Sequence, residues 1–436
     1  MNPVLWPRSA AVLVSLLLSP VGCAAAAPVA WVQAVSGGAE ARAISTAAVC
    51  PAIVIDGRAR AMSERAAPTP DFPNRVCAAR LPHGVRRVVI DGATLPVPKV
   101  RPRRLVVLGD SGCRLKGLVA QHCNDPGGWP FARVAALAAA QKPDLVIHVG
   151  DYYYRERACP DGEAACAGSP FGDHWPTWKA EIFDPASPLL AAAPWVFVRG
   201  NHESCERGGK GWFRLFDAAP LPKTCPAQSD VFVVPLSGVD VFVLDSADTE
   251  DMTAPPDKVA GFAKALGAVR DSKNAWIVTH RPVWDTLRLG GFLSDSVVNA
   301  TQRAAMKGRD LAGVRMILSG HVHNFTSASF GTVRPAQLIV GTGGDELSQN
   351  DTPPPVVGRP SVDGLPADVF TMGRFGYFVL DRQGDDWVGA FHDLSDKVAA
   401  VCRLKARALT CRSPKTLGGQ VPVRAVKASP RRRPRA

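Results

Sequence analysis

The sequence lacks several features that would mark whole classes of protein. The apolar run near its start, residues 10–18, is about half as long as the roughly 20 residues that a membrane-spanning helix needs. None of the eleven cysteines forms a Cys-x-x-Cys pair, which argues against a cysteine-bound metal site. No internal repeat stands out, which argues against a repeat protein. We therefore expect a globular chain, and its 46% content of hydrophobic residues is ordinary for one.

The first 26 residues are typical of a secretory signal. Arg8 precedes the apolar run 10–18, and the alanines at 24–26 are small residues of the kind found at cleavage sites. We therefore expect an exported protein, either periplasmic or secreted. A bacterial lipoprotein anchored at Cys23 is the alternative, although Pro20 fits that pattern poorly.

The cysteines outside this segment form an even set, which suits disulfides in an oxidising compartment. Connectivity cannot be derived from sequence alone. Our hypothesis is five sequential pairs, because cysteines that follow one another along the chain are closely spaced. The pairs are Cys50 with Cys77, Cys113 with Cys123, Cys159 with Cys166, Cys205 with Cys225, and Cys402 with Cys411.

The net charge of +12 is concentrated at the end of the chain. Five arginines and one lysine between residues 424 and 436 supply half of it, +6, in a proline-rich segment without acidic residues. Such a block is usually solvated and disordered, so we predict a basic tail over 412–436. The tail lacks the interleaved aromatic residues of single-strand binders, and nucleic acid is not an expected partner. Weak contact with anionic envelope components stays open.

Two predicted domains lie between the signal and the tail. Residues 28–100 alternate short β-type runs with Gly, Pro and Asp turns, which predicts a small all-β domain. Residues 96–102 form a proline-rich linker. From residue 104 to about 400, strands alternate with helical segments, and this larger region carries the chemistry. Its helices are predicted over 131–141, 256–269 and 297–306.

Five apolar runs in the larger region end in side chains that bind metals. These side chains are Asp110, Asp151, Asn201 with His202, His280, and His321 with His323. The carboxyl ends of strands form the ligand crevice of open α/β sheets, and neutral imidazoles commonly bind metal. If the five strands lie in one sheet, their ends therefore meet at one site. Any single member is equally well explained as a turn residue, a cap or a surface histidine, but five coincidences are not expected.

In this order the five blocks resemble those of calcineurin-like metallophosphoesterases, most closely the purple acid phosphatase branch. The blocks are Asp110-Ser111-Gly112, Gly150-Asp151-Tyr152-Tyr153-Tyr154, Gly200-Asn201-His202-Glu203, Ile277-Val278-Thr279-His280 and Gly320-His321-Val322-His323. The resemblance spans about residues 105–344 and implies an α/β (α+β) sandwich of two mixed β-sheets flanked by helices. Gly112 stands where most of the wider superfamily has histidine, and the resemblance implies that Tyr154 replaces that imidazole as a ligand.

The resemblance also implies a site for two metal ions. One ion would be bound by Asp110, Asp151, Tyr154 and His323, and the other by Asp151, Asn201, His280 and His321. Physical chemistry agrees, since two ions about 3.5–4 Å apart need a bridging carboxylate. Phenolate and carboxylate oxygens favour Fe(III), whereas Asn and His donors suit divalent Fe, Zn or Mn. The alternative for Tyr154 is packing in an aromatic cluster.

These residues predict an exported dinuclear-metal phosphatase, an acid phosphatase-like phosphoric ester hydrolase. Two cations lower the pKa of a bound water from about 15.7 to about 7 and neutralise charge on the phosphate, so that metal-bound hydroxide attacks a small phosphate monoester. His202, beside Asn201, is implied as the group that protonates the leaving oxygen or positions the phosphate. Arg281 is a weaker candidate for contacting the phosphate.

Two other functions stay open on the sequence alone. A phosphodiesterase or nucleotidase can use the same metal core, because the substrate loops decide between esters. A non-catalytic envelope-binding protein would keep only the fold and use the basic tail. Metal-dependent hydrolysis of a chromogenic monoester or diester distinguishes the three.

Overall fold

A computed structural model describes residues 29–414 apart from 237, 290–291, 297 and 349–354. The predicted signal 1–26 with Cys23, and all but the first three residues of the predicted tail 412–436, lie outside the described residues. None of the described helices is long and apolar enough to cross a membrane.

Strands make up most of the secondary structure. The first thirteen are β1 Ala30–Val35, β2 Gly38–Ser45, β3 Ala52–Ile55, β4 Arg58–Ala61, β5 Ser63–Ala66, β6 Arg75–Leu81, β7 Val88–Ile90, β8 Ala93–Leu95, β9 Arg104–Leu108, β10 Leu115–Lys116, β11 Val119–Ala120, β12 Leu145–His148 and β13 Trp195–Phe197. The others are β14 Phe232–Leu236, β15 Val239–Val243, β16 Ala275–Val278, β17 Thr286–Leu289, β18 Phe292–Asp295, β19 Val314–Ser319, β20 Phe325–Ser329, β21 Ala336–Val340, β22 Val356–Gly358, β23 Ser361–Val362, β24 Leu365–Pro366, β25 Asp368–Met372, β26 Gly376–Gln383, β27 Asp386–Asp393, β28 Val398–Lys405 and β29 Ala408–Arg412.

Helices are short and lie between the strands. The α-helices are α1 Phe131–Ala140, α2 Trp175–Trp178, α3 Ser187–Ala192, α4 Gly209–Leu215, α5 Pro256–Leu266 and α6 Ala300–Met306. A π-helical turn at Lys179–Phe183 follows α2, and 3-10 turns occur at Asn201–Glu203 and Gly267–Val269. The predicted helices at 131–141 and 256–269 are present, whereas the third begins at Ala300 instead of 297.

Two large mixed sheets face each other across a shared core. One has the strand order β29-β28-β27-β26-β9-β12-β13-β1-β2-β6-β5, and the other β14-β15-β16-β19-β21-β20-β25-β22. Their inner faces pack together, with Val107 and Ile147 of the first sheet in one cluster with Trp276 and Leu338 of the second. Helices α1, α3 and α4 cover the outer face of the first sheet, and α5 and α6 cover the second. The predicted two-sheet α/β sandwich is confirmed.

The five strands that end in the candidate metal-binding side chains do not lie in one sheet. Strands β9, β12 and β13 are parallel neighbours in the first sheet, while β16 and β19 are parallel neighbours in the second. All five are apolar because layers cover both of their faces, so their composition does not reveal which sheet each one joins. Their carboxyl ends meet between the two sheets, at one edge of the sandwich.

The N-terminal strands divide between two sheets. Strands β3, β4, β7 and β8 form a small sheet of their own, whereas β1, β2, β5 and β6 continue the first large sheet. The junction is a parallel contact between Gln33 of β1 and Trp195 of β13. Strand β28 likewise continues that sheet across residue 400. The division into separate domains at about residues 100 and 400 stays a prediction.

The N-terminal region also forms hydrogen bonds to the segment that follows the Asn201–Glu203 turn. The fully buried guanidinium of Arg42 donates hydrogen bonds to the carbonyl oxygens of Leu215, at 2.7 Å, and Asp217, at 2.8 Å. These bonds satisfy backbone groups at the end of α4, where helices leave carbonyls unpaired. The N-terminal region therefore holds the end of α4, the helix that follows the turn carrying Asn201.

Five disulfides join cysteines that follow one another in sequence. They are Cys50–Cys77, Cys113–Cys123, Cys159–Cys166, Cys205–Cys225 and Cys402–Cys411. Disulfides persist in oxidising compartments and are rare in the cytosol, so five of them indicate a non-cytoplasmic protein.

Candidate metal centre

Three of the predicted ligands have a left-handed backbone conformation directly after their strands. The φ angles of Asp110, Asp151 and His321 are 55°, 59° and 68°. Such conformations cost of order 1–3 kcal/mol in non-glycine residues and persist only where the surroundings enforce them. Here the turn points both carboxylates into the gap between the sheets, and the backbone N–H of His321 donates to the Asp110 carboxylate at 3.0 Å. The strained backbone conformations therefore serve to direct these side chains into the site.

One group of donors surrounds the phenol of Tyr154. Its Oη lies 2.9 Å from Asp151 Oδ2, 2.9 Å from His323 Nε2 and 3.4 Å from Asp110 Oδ1. Ligand atoms of Asp110, Asp151 and His323 all lie within 4.8 Å of one another. All four residues are buried, so the predicted oxygen-rich set is assembled in a closed space.

A second group of donors shares the same Asp151 carboxylate. His280 Nε2 lies 3.0 Å from Asp151 Oδ2 and 3.0 Å from Asn201 Oδ1. His321 Nδ1 lies 2.9 Å from the same Asn201 oxygen. Ligand atoms of Asp151, His280 and His321 fall within 4.8 Å of one another. The seven sequence-predicted ligands thus lie together as two sets with Asp151 in both.

Each histidine of the two sets has its outer ring nitrogen bound to a fixed acceptor. His280 Nδ1 is 2.8 Å from the Val149 carbonyl oxygen, and His323 Nδ1 is 2.7 Å from the Glu346 carbonyl oxygen. His321 instead turns Nε2 towards Asp251 Oδ1, at 3.1 Å. A proton held on the outer nitrogen leaves the lone pair of the inner one free, which is how protein histidines are oriented for metals.

The buried carboxylates and imidazoles of the site shift one another's pKa values. Burial would lower the pKa of His280, but the charge and hydrogen bond of Asp151 outweigh it and raise that pKa to about 9. Burial is likewise outweighed at His323, where Asp345 and Asp110 raise the pKa to about 9. Burial tends to raise the pKa of Asp151, yet the charges of His280 and His202 hold it well below its usual range. Two buried carboxylates among imidazoles form a donor set that fits cations in place of these protons.

Three carboxylates that no sequence motif indicated support site histidines. Asp251 faces His321, Asp345 Oδ2 lies 3.4 Å from His323 Nδ1, and Glu156 Oε1 lies 2.7 Å from His202 Nδ1. Each is paired with an arginine: Asp251 with Arg281, Asp345 with Arg114, and Glu156 with Arg207. None of the five motifs contains these acids, because each lies in a loop at least 22 residues from its histidine.

Glu203 has a structural task inside the third motif. Its buried carboxylate accepts hydrogen bonds from the backbone N–H groups of Asp151, Tyr152, Tyr153 and Gly200, at 2.8–3.1 Å. Glu203 therefore joins the turn that carries Asp151, the shared ligand, to the turn that carries Asn201. Burial and the charge of Asp151 raise the pKa of Glu203 to about 8.

Gly112 and Tyr154 are sterically matched. A Cβ added at Gly112 would lie 2.5 Å from the Tyr152 carbonyl oxygen and 2.8 Å from Tyr154 Cδ2. No side chain fits there while Tyr154 occupies its place. The Tyr154 ring thus occupies part of the space that a side chain at residue 112 would need, alongside the Tyr152 backbone.

His202 lies against the site without joining either donor set. Its backbone N–H donates to Asp151 Oδ1 at 3.0 Å, and Nε2 is 3.9 Å from Asp151 Oδ2. The centroid of its ring lies 3.7 Å from that of Tyr154, with the two ring planes tilted by 36°. Burial lowers the pKa of the His202 imidazole to about 4, although Asp151 and Glu156 oppose the shift. Arg281, the weaker substrate candidate, has Nη1 3.3 Å from His321 Nε2 and is held by Asp251.

Comparison with known proteins agrees with this geometry. The sequence model of the calcineurin-like phosphoesterase family matches residues 103–325, just over half of the chain. A purple acid phosphatase from yellow lupin (Lupinus luteus) seeds is 13% identical, with 88% of this chain and 74% of that chain aligned and a TM-score of 0.55. PhoD is 12% identical, with 90% and 93% aligned and a TM-score of 0.55. Identities this low show a shared fold only. No curated protein sequence matches the chain.

Proposed function

Because the chain belongs to the calcineurin-like phosphoesterase family, a family of metal-dependent phosphoester hydrolases, we propose that it is an exported phosphatase that hydrolyses small phosphate monoesters at a centre of two metal ions. The observation that carries this proposal is the position of Asp151. Its carboxylate is common to two compact sets of ligand atoms, and two-metal hydrolases need such a bridge.

The ligand assignment follows from the two sets. Asp110, Asp151, Tyr154 and His323 would hold one ion, and Asp151, Asn201, His280 and His321 the other. Hard oxygen donors in the first set favour Fe(III), and the Asn and His donors of the second favour divalent Fe, Zn or Mn. When bound, the two ions would activate a water molecule and neutralise charge on the phosphate.

The chain's own residues divide the remaining work. The reaction adds water across the ester: a new P–O bond forms, the bond to the leaving oxygen breaks, and that oxygen takes a proton. We assign the handling of this proton to His202, because its ring lies beside Asp151 and Tyr154 and is held by Glu156. Arg281 lies at the His321 side of the mouth, held by Asp251, where a guanidinium suits phosphate oxygens.

Purified protein loaded with iron and zinc tests the function. We expect hydrolysis of p-nitrophenyl phosphate, much weaker hydrolysis of bis(p-nitrophenyl) phosphate, and loss of both on removal of metal. The opposite substrate preference would make the protein a phosphodiesterase. Stable binding of both metals without hydrolysis of either ester would favour the envelope-binding alternative, which vesicles of anionic lipid then test.

A further inference from the structure

A hairpin beside the candidate centre places two cations along one of its walls. Strands β10 and β11 pair Lys116 with Val119, and Leu115 forms a parallel bridge with Arg155, one residue after the ligand Tyr154. The backbone N–H of Leu115 donates to the Tyr154 carbonyl oxygen at 3.1 Å. The hairpin is therefore fastened directly to the segment that carries a predicted metal ligand.

The register of this bridge decides which side chains face the site. Side chains alternate along a strand, so Arg114 and Lys116 share the face opposite to the buried Leu115. Arg114 points to the centre, since its guanidinium carbon lies 5.1 Å from the Tyr154 ring centroid and Nη2 lies 3.3 Å from His323 Nδ1. Lys116 lies on the same side as Arg114, near enough to Arg207 and Glu156 for their charges to act on its ammonium group.

Lys116 differs from the arginines around it. Arg114 is paired with Asp345, and Arg207 with Glu156, but Lys116 has no hydrogen-bond or ion-pair partner among the residues that the structure describes. It is half-buried, and burial and the charge of Arg207 lower its pKa, with Glu156 opposing and Arg114 adding to the shift. The carboxylates of Asp151 and Glu156 also face it, but both are engaged by histidines.

We propose that Lys116, flanked by the accessible edges of Arg114 and Arg207, binds a second anionic group on the leaving-group side of the substrate. The preferred esters would then be those with a carboxylate or a second phosphate within a few bonds of the scissile phosphorus. The arginine side chains are 23% and 20% exposed, so a ligand can reach them. The inference rests on the proposed phosphatase function, because it places the scissile phosphate at the metal centre.

Two isosteric inhibitors test the subsite. Phosphonoacetate carries a carboxylate where phosphonoacetamide carries a neutral amide, and both are assayed against hydrolysis of phenyl phosphate by the metal-loaded, full-length protein. We expect phosphonoacetate to bind about fivefold more tightly, the size of a partly exposed ion pair. In Lys116→Gln this ratio should fall to about one, while kcat/KM for phenyl phosphate stays unchanged. Lys116→Arg should retain the preference.

Lys405→Gln is the matched control, since it removes an exposed lysine of β28 and should leave the ratio intact. The rate of pyrophosphate hydrolysis by Lys116→Gln is the second measurement. If this rate falls together with the inhibitor ratio, the subsite binds oxyanions in general, and if the rate is unchanged, the subsite binds carboxylates. A wild-type ratio near one, or a ratio that Lys116→Gln does not change, overturns the proposal. Absence of phenyl phosphate hydrolysis by the wild type would instead contradict the proposed function, and calorimetry with the same two ligands would still measure the subsite.

Discussion

The two halves of the candidate centre are built from different chemistry around one carboxylate. The half with Asp110 and Tyr154 offers oxygen donors and a single imidazole, whereas the half with Asn201 offers one amide and two imidazoles. Donors of the first kind can supply negative charge, and those of the second are neutral. On the proposed ligand assignment the site would distinguish its two ions by charge, and we expect the harder and more highly charged ion beside Tyr154.

The halves also differ in how they are closed. His323 is supported by Asp345, which is fully buried beneath Arg114. His321 is supported by Asp251, whose side chain is 32% exposed beside Arg281. The oxygen-rich half is therefore the more deeply buried of the two, with the partly exposed Arg114 at its outer edge, and the imidazole-rich half borders the mouth. We expect the substrate phosphate to enter on the imidazole-rich side.

Replacing Asp151, the ligand that both halves share, should have the largest effect, because it should affect both halves at once. Asp151→Asn removes the bridging negative charge, and we expect both ions to be lost. Activity on phenyl phosphate should fall by about 10³-fold or more, beyond the roughly 10–100-fold typical of residues that only support ligands. Elemental analysis and initial rates measure this effect. Retention of two ions would show that Asp151 is not the bridge.

The residue beside the centre should affect turnover but not metal content. For His202→Ala we expect kcat on an alkyl phosphate to fall by about 10²–10⁴-fold. The loss on p-nitrophenyl phosphate should be much smaller, because that leaving group hardly needs a proton. Equal losses on both esters would indicate that His202 positions the phosphate, and loss of metal would make it a ligand.

Substituting Asp345 and Asp251, the carboxylates that support His323 and His321, should affect the metal affinity of the two halves separately. Asp345→Asn should weaken binding of the ion beside Tyr154 by about 10–100-fold, and Asp251→Asn should weaken only the other ion by a similar factor. Competition with a chelator, followed by elemental analysis, gives the affinity of each ion. The account of two independently supported halves fails if both variants lose the same ion.

The smallest effect that we expect is on the number of protons that the protein releases when it binds metal. At pH 7.5 the metal-free protein holds protons on His280 and His323, whose pKa values are raised to about 9. It also holds one on Tyr154, because burial and Asp151 raise the pKa of that phenol well above its usual value. Metal binding displaces these protons, and Tyr154→Phe should release about one fewer than the wild type.

Calorimetry in buffers of different ionisation enthalpy counts the protons, with Tyr153→Phe as the matched control. The sign follows from the raised values: the two imidazolium protons are present below about pH 9 and are lost as the pH rises through it, so release from the histidines should shrink at higher pH. Equal release from the wild type and Tyr154→Phe would remove the phenolate from the ligand set.

The sequence was informative wherever ligand types stood at the ends of apolar runs. Asp110, Asp151, Asn201, His280 and the His321–His323 pair are recognisable because strand ends have no packing reason to carry such groups. The sandwich followed from the resemblance that these blocks carry. Sheet membership did not follow, since a strand that is covered on both faces has the same composition in either sheet.

The acids that support the site histidines could not be predicted from the sequence, for a different reason. Asp251, Asp345 and Glu156 act through contacts that only the folded chain creates, and acidic residues in loops are far too common to be informative. The same applies to Arg42, whose grip on the end of α4 joins residues more than a hundred positions apart.

Anomalous X-ray diffraction from crystals of the active, metal-loaded protein tests the central claim most directly. The account predicts two peaks about 3.5–4 Å apart, one on each side of the Asp151 carboxylate, with the iron-edge signal strongest beside Tyr154. A single peak, or two peaks that Asp151 does not bridge, would contradict it.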